Sequence, residues 1–455
     1  MAAMTWERLL SNTRQGKPPE KESTVGRSVF QRDFDRIVYS SAFRRLQDKA
    51  QVFPLAKSDF VRTRLTHSLE VSCVGRSLGA ELGQRLLEAD KQMPEGIFPD
   101  DIGSIVAAAC LAHDIGNPPF GHTGESAIGE WFSNTEVGRA AIKELSLAQK
   151  SDFEKFEGNA QGFRILTRLQ NSHNPGLQLT CATLAAFTKY PRGASLQGGS
   201  LKGVSWKKHG FFDADKKCFG DIAAAVGLTK KLDEENTWVR HPLAYLVEAA
   251  DDICYRVNDL EDGFRLKHVS LQEAQELLLS IFEPGGAPTK WKDIGTEQDK
   301  IGYLRAKAIN YLIGQLITHF QEHSDHILEG KMETGLIDGI PSAGALSNII
   351  KISKKKIYRA REVLEIEAAG FQVLGGLLEA FLAAVNDIAQ KGEKKASAKS
   401  QTIFYLLPQQ FRVMEDEHED LYLRTLKVTD FISGMTDSFA VSLYKQLTGI
   451  SLPTG

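Results

Sequence analysis

The sequence predicts an all-α protein, and two observations carry that reading. Apolar residues recur at helical spacing in long runs, while strand-like alternation is scarce and short. Prolines punctuate those runs at their ends, as helices require. The first clear element follows Leu65, where Leu69, Cys73, Val74, Leu78, Leu82 and Leu86 fall on one face of a long amphipathic helix. A second helix begins near Asp101, runs through Ile105 to Ala112, and is stopped by Gly116-Asn117-Pro118-Pro119. Pro242 occupies a first helical position, followed by Leu243, Leu246, Val247, Ala250, Ile253, Cys254 and Val257. The most apolar stretch, Val373 to Val385, carries Glu379 and keeps helical spacing. Ile403 to Leu407 reads as a short strand. Loops are expected over Arg192 to Asp221, Glu283 to Lys300 and Gln390 to Ser400. The simplest division is an N-terminal segment (1–29), a core (30–275) and a C-terminal helical region (276–455) that completes the fold and makes oligomer contacts.

Composition bounds the function. The 455 residues include 55 Lys plus Arg and 58 Asp plus Glu, a net charge of −3, with 42% apolar and 25% charged residues. That excludes a mainly disordered chain and gives no support to a strongly basic nucleic-acid binder. The five cysteines form no C-x-x-C pair, which argues for a reducing compartment and against a disulfide scaffold or a thiolate zinc site. The polar start lacks the apolar segment of a secretory signal, and no apolar run approaches the roughly 20 residues of a membrane span. The expectation is a soluble cytoplasmic protein without a membrane partner.

Chemistry concentrates in Leu111-Ala-His-Asp-Ile-Gly-Asn-Pro-Pro-Phe-Gly-His-Thr-Gly-Glu125. Neighbouring helical residues diverge by about 100°, so His113 and Asp114 reach one ion only if it sits just off the helix surface. Imidazole and carboxylate together suit a divalent transition metal or a magnesium-like ion. The plain alternative is a helix-end histidine beside a carboxylate bonded to loop amides. Two other segments keep company with this run. His67 lies on a helix with Arg62 and Arg64 just before it, and Arg64 shares its face. Asp251, Tyr255 and Asp259 fall at i, i+4 and i+8 along another helix, where the alternative is a solvated acidic face. Thr123 is placed to N-cap the helix after the proline turn.

A histidine, a His-Asp pair and a distant aspartate form the pattern of HD-domain metal-dependent phosphohydrolases. The run AHDIGNPPFGHTGE is more specific and resembles the deoxyguanosine triphosphate triphosphohydrolase family. Supporting runs are Asp35 to Leu46, Thr63 to His67, Phe156 to Gln161, Thr188 to Pro191, Glu248 to Ile253 and Ser433 to Asp437, spread over nearly the whole chain. The resemblance implies a mainly helical HD-domain fold with a C-terminal helical extension. It implies that His67, His113, Asp114 and Asp251 bind a divalent metal, Mn2+ or Mg2+ foremost, with Fe, Co, Ni or Zn as alternatives. His122 and Glu125 match the catalytic pair. Arg64 meets phosphate as a fork, and Asn159, Lys189 and Lys208 line the polyphosphate channel, although Lys207 competes with Lys208 for that place. Tyr255 and Asp259 face the deoxyribose, the ring rejecting a 2′-hydroxyl, and Gln51 sits by the base edge. The implied reaction splits a dNTP, dGTP by default, into deoxynucleoside and tripolyphosphate. A homo-oligomer, a hexamer by family habit, is implied as well, with an activating dNTP and single-stranded DNA as further partners.

Other constellations carry less. No P-loop motif is present. The basic run Lys351 to Arg361 (KISKKKIYRAR) reads as a solvated helix face, with nucleotide or single-strand binding as the alternative. His319, His323 and His326, interleaved with Glu322 and Asp325, imitate a metal-binding face but read as an exposed polar helix. Trp131 and Phe132 read as core.

Overall fold

The computed structural model describes residues 3–17, 26–53, 60–89, 93–171, 176–194, 203–231, 236–412 and 420–451. The chain is all-α: the described residues contain isolated β-bridges but no named strand. Nine helices, numbered here in chain order, position the site. They are α1 (Arg64–Glu88), α2 (Pro99–Ala112), α3 (Gly121–Asn134), α4 (Pro242–Arg265), α5 (Glu297–Glu322), α6 (Ala343–Lys356), α7 (Arg361–Lys391), α8 (Leu421–Ser433) and α9 (Asp437–Leu447).

Sequence dictates how the first two pair. Gly75, Gly79 and Gly83 recur every fourth residue, so they line one stripe of α1. Without side chains there, the backbones of α1 and α2 come into direct contact. A Cβ at Gly79 would stand 2.7 Å from the Ile102 carbonyl, one at Gly83 2.6 Å from Pro99 Cα, and one at Gly75 2.4 Å from Cys110 Sγ. The partner numbers fall as the α1 numbers rise, so the helices are antiparallel. Continuing that register two turns back along α1 brings His67 opposite the end of α2, where His113 is the C-cap residue. Glycine costs about 1 kcal/mol against alanine in a helix interior, so the stripe trades local propensity for close approach.

Helix α4 is buried on most of its surface, from Leu243 to Phe264, and it packs against α1 and α2. Pro242 opens it at the first helical position, and the His241 side chain caps it by accepting from Leu243 N. A charged cluster fastens the start of α1 to its far half. Arg62, nearly buried, bonds to Glu70 and Glu261 at 2.7 Å each and pairs with Asp262. Arg305 of α5 adds a 2.7 Å bond to Glu261.

The apolar side chains form two clusters. One gathers the inner faces of α1, α2, α4 and α5 and includes Ile115. The other joins α3 to α7, α8 and α9 through Phe120, Phe132, Phe153, Phe381 and Phe431, with Trp131 and Phe132 in the core as the sequence suggested. The proline turn after α2 therefore spans both clusters, Ile115 lying in one and Phe120 in the other. The C-terminal helices brace that turn. Asp437 accepts from Phe120 N and Ala50 N at 3.0 Å each. Lys49, fully buried, donates to the Asn117 carbonyl at 2.5 Å and the Ser433 carbonyl at 3.1 Å.

Helix α7 is long and apolar enough, by length and composition, to cross a membrane, but 56% of its most apolar window is buried, as in a core helix. Several expectations are corrected, including the ends of the loops at Glu283 to Lys300 and Gln390 to Ser400, which overlap α5, α7 and the helix from Ala398. Ile403 to Leu407 is not a strand; Ser397 caps a helix over Ala398–Leu406 that buries Ile403 and Phe404. So short an apolar run has no period long enough to separate the two states. The expected loop from Arg192 to Asp221 ends instead in a helix, Lys216–Ala225, and its middle, residues 195–202, lies outside the described residues.

The glycine stripe yields a paired test. Gly79→Ala should lower stability by about 1–3 kcal/mol through overpacking against backbone that cannot give way. Gly314→Ala in α5, where nothing lies within 4 Å of the added Cβ, should raise it by up to about 1 kcal/mol. Thermal unfolding of the two variants checks both signs.

Candidate metal centre and active site

Four donor side chains meet where the ends of α1 and α2 face the first half of α4. His67 Nε2 lies 3.2 Å from Asp251 Oδ1, and His113 Nε2 lies 3.4 Å from the same oxygen and 3.4 Å from Asp114 Oδ1. Donor atoms of His67, His113 and Asp114 all fall within 4.8 Å of one another. His113 Nδ1 sits 2.6 Å from the Cys110 carbonyl. A carbonyl only accepts, so Nδ1 carries the hydrogen and Nε2 faces the cluster, where Asp114 and Asp251 raise the pKa of the ring against the effect of burial. Burial alone would push both carboxylates toward the neutral acid. Arg64 and His113 instead hold Asp114 well below the usual carboxylate range, and Lys189 and His113 do the same for Asp251. Two imidazoles and two ionised carboxylates in a buried cluster fit a divalent transition or magnesium-like ion. Asp114 takes its hydrogen bonds from the side chains of Arg64, at 2.7 Å, and Asn117, at 2.5 Å, rather than from loop amides. Along the Asp251–Asp259 face, burial deepens from Asp251, whose side chain is 26% exposed, to Asp259, which is fully buried.

Cations ring the cluster. Arg64 reaches Asp114 because Gly121, at φ 58°, leaves room for it; a Cβ there would lie 2.4 Å from Arg64 Nη2. Arg64 Nε is buried and has no hydrogen-bond partner among the described residues. Lys189 Nζ donates to Asp251 Oδ2 at 2.8 Å. Lys208 bonds to Glu157 at 3.0 Å and stands 3.6 Å from Glu125. Lys207 is exposed, so Lys208 is the inward member of the pair. Asn159 also donates to Glu157, at 2.7 Å.

His122 Nδ1 is 2.8 Å from Glu125 Oε2, and Glu125 Oε1 accepts from Gly158 N at 2.7 Å. The hydrogen bond and charge of Glu125 raise the His122 pKa. Burial would raise that of Glu125, but His122 and Lys208 outweigh it and bring it down to about 2. The His122 side chain is 78% exposed while that of Glu125 is 9% exposed, so a fixed carboxylate aims an open imidazole. Thr123 does not cap this helix. The helix starts at Gly121, after Phe120 in the left-handed region at φ 65°, so His122 and Thr123 both lie in its first turn. The Phe120 amide bonded to Asp437 helps to hold that sparsely populated conformation.

One and two turns along α4 from Asp251 stand Tyr255 and Asp259. Tyr255 stacks on Tyr358, with ring centroids 5.4 Å apart. The Tyr358 hydroxyl donates to Asp259 Oδ2 at 2.9 Å, and Asp259 Oδ1 is buried without a hydrogen-bond partner among the described residues. Tyr358 comes from the basic run. Lys351, Lys354 and Lys355 are exposed there as expected, but Ile357 is buried and Tyr358 turns inward after α6 ends at Lys356. Gln51 is half-buried, and its Oε1 bonds to none of the described residues.

An HD-domain family model matches residues 64–182, and a phosphohydrolase-associated domain matches residues 344–446. The chain is 46% identical to a deoxyguanosinetriphosphate triphosphohydrolase-like protein of Synechocystis, over 99% of this chain and all of the relative. It is 40% identical to a protein of the same name from Pseudomonas aeruginosa, with equal coverage. A deoxyguanosinetriphosphate triphosphohydrolase of Yersinia enterocolitica is 31% identical, over 95% of this chain and 96% of its own. The chain belongs to the HD-domain deoxyguanosinetriphosphate triphosphohydrolase family.

The HD-domain match covers His67, His113, Asp114, His122 and Glu125, while Asp251, Tyr255 and Asp259 lie beyond it. Tyr358 and Asp437 fall in the associated domain, which thereby contributes to the site of this family member. Sequence reasoning did not single out Glu157, Asn117, Tyr358 or Asp437 as site residues. Glu157 and Asp437 stood inside runs that carry the resemblance, but nothing in Lys351 to Arg361 distinguished a tyrosine that turns inward. If the four donors form one centre, His113→Ala and Asp114→Ala should each lose bound metal and hydrolysis together. Elemental analysis of the purified variants checks this, and full metal content in Asp114→Ala would remove that residue from the ligand set.

Proposed function

We propose that the protein hydrolyses deoxynucleoside triphosphates, dGTP by default, to the deoxynucleoside and inorganic tripolyphosphate. The observation that carries this reading is the spacing on α4. A donor to the ion cluster, Asp251, is followed one turn later by the Tyr255–Tyr358 stack and two turns later by a buried carboxylate with a free oxygen. A phosphate at the cluster would thus have an aromatic wall one helical turn away and a carboxyl group two turns away along the same helix. The relatives' names support the same substrate class.

The donor set admits Mn2+ or Mg2+ and, equally by ligand type, Fe, Co, Ni or Zn. When bound, such an ion supplies Lewis-acid stabilisation of phosphate charge and activation of water. The chain's own groups do the rest. Arg64, Lys189 and Lys208 neutralise the triphosphate where charge builds, in a partly buried site where that counts for more than in water. Water attacks the α-phosphorus and the bond to the 5′-oxygen breaks, so the water oxygen leaves in tripolyphosphate. His122, held by Glu125, hands a proton to the departing 5′-oxygen, which becomes the hydroxyl of the nucleoside. Asp259 Oδ1 accepts from the 3′-hydroxyl, and the Tyr255 ring excludes a 2′-hydroxyl by contact.

Chromatography of products from a panel of dNTPs and NTPs, with Mn2+ and with Mg2+, tests the reading. Deoxynucleoside and tripolyphosphate are expected, with ribonucleotides poor substrates that Tyr255→Ala improves. Nucleoside monophosphate as the product, or equal rates on GTP and dGTP, would point to a different HD activity. The acid role of His122 has its own signature. His122→Ala should keep metal and lose about 10²–10⁴ in turnover. Glu125 raises the His122 pKa, so Glu125→Gln should lower it and move the alkaline limb of the kcat profile to lower pH. Normal turnover in His122→Ala would exclude it from the chemistry.

A further inference from the structure

The geometry points to a second transition-metal site, formed by His319, Glu322 and His323 at the C-terminal end of α5 and suited to a zinc-like divalent ion. The sequence pattern read as an exposed polar helix, and the side-chain arrangement departs from that. His319 and His323 are one turn apart, and their rings do not splay: the centroids are 4.2 Å apart at an interplanar angle of 44°. One donor atom from each of the three residues falls within 4.8 Å of the other two. Separation of that order lets a single ion bridge them after small rotamer adjustments, because zinc–nitrogen and zinc–oxygen bonds are about 2.0–2.2 Å.

Two features prepare the rings. His323 Nδ1 lies 3.0 Å from the His319 carbonyl, which only accepts, so Nδ1 carries the hydrogen and Nε2 is left as the lone-pair donor. His319 is half-buried because Gly339 has no side chain; a Cβ there would lie 2.3 Å from His319 Nε2. The ring is therefore seated between Gly339 and His323 rather than swinging in solvent. Charge favours a cation as well, since Glu322 closes α5 at the negative end of its dipole. Two imidazoles and one carboxylate are the protein ligands of an open zinc site, with the fourth position left to water. His326 does not join them. It lies on the next short helix, Ser324–Leu328, it is exposed, and its ring centroid is 6.5 Å from that of His323.

Untagged full-length protein, stripped of metal by chelation, is titrated with Zn2+ against a chromophoric chelator. The unchanged protein should bind two tight equivalents. The double variant His319→Ala/His323→Ala should bind one, and Asp114→Ala should keep the one at α5. Glu322→Gln, which leaves both rings, should weaken that second equivalent by more than about 10-fold, the loss typical of removing even an outer-shell partner. His326→Ala should change nothing. Far-UV circular dichroism of the metal-free variants verifies their fold, and Co2+ absorption reports the coordination lost. Equal Zn2+ stoichiometry in the unchanged protein and the double variant overturns the site. Loss of the equivalent in His326→Ala overturns the three-donor assignment. Neither outcome bears on the His67–Asp251 centre, which Asp114→Ala reads separately.

Discussion

Backbone contact between α1 and α2 is the constraint on which the rest of the structure depends. His67 and the His113-Asp114 pair sit near the ends of two antiparallel helices, so any slide or spread of that pair separates the donors. The glycines at 75, 79 and 83 hold the helices too close to slide freely, because backbone and the Cys110 side chain fill the space where side chains would be. Close packing of this kind transmits small displacements, so precision at the site is set several turns away from it. Helix α4 then needs only to be docked in register, and the Arg62 cluster docks it by charged hydrogen bonds to Glu261 and Asp262.

The site on this frame is a balance of buried charges. Two carboxylates of the cluster are each paired with a cation, Asp114 with Arg64 and Asp251 with Lys189. Unpaired, any of these groups would be costly to bury, and paired they keep the carboxylates ionised and the cations pointed inward. The Glu125–His122 and Glu157–Lys208 pairs extend the pattern to the rim. The C-terminal region completes it, since Asp437 and, through Lys49, the Ser433 carbonyl hold the proline turn and Tyr358 bonds to Asp259. Residues 49–50 and 433–437 meet at this one turn, and the runs carrying the family resemblance extend to residue 437.

Much of this was legible from sequence, for physical reasons that differ by residue. The long helices showed because amphipathic periods over many turns leave little ambiguity, and Pro242 and Pro118-Pro119 marked their ends. The four donors and the His122–Glu125 pair were read from the motif runs, and the structure draws them together. Other features were hidden, three of them for clear physical reasons. The strand reading at Ile403 failed because five residues have no period. Thr123 failed as a cap because the turn before it ends in a left-handed phenylalanine, a conformation that local propensity disfavours and tertiary contact imposes. Tyr358 stayed hidden because its orientation depends on where α6 stops and Ile357 buries, which is a packing result rather than a pattern.

The central claim is attack of water on the α-phosphorus with loss of the nucleoside, within one cluster assembled from three helices. Hydrolysis of a dNTP in 18O-labelled water, followed by mass spectrometry of both products, tests it most directly. One labelled oxygen is expected in tripolyphosphate and none in the deoxynucleoside. Label in the 5′-hydroxyl of the nucleoside, or in a released monophosphate or pyrophosphate, would contradict it.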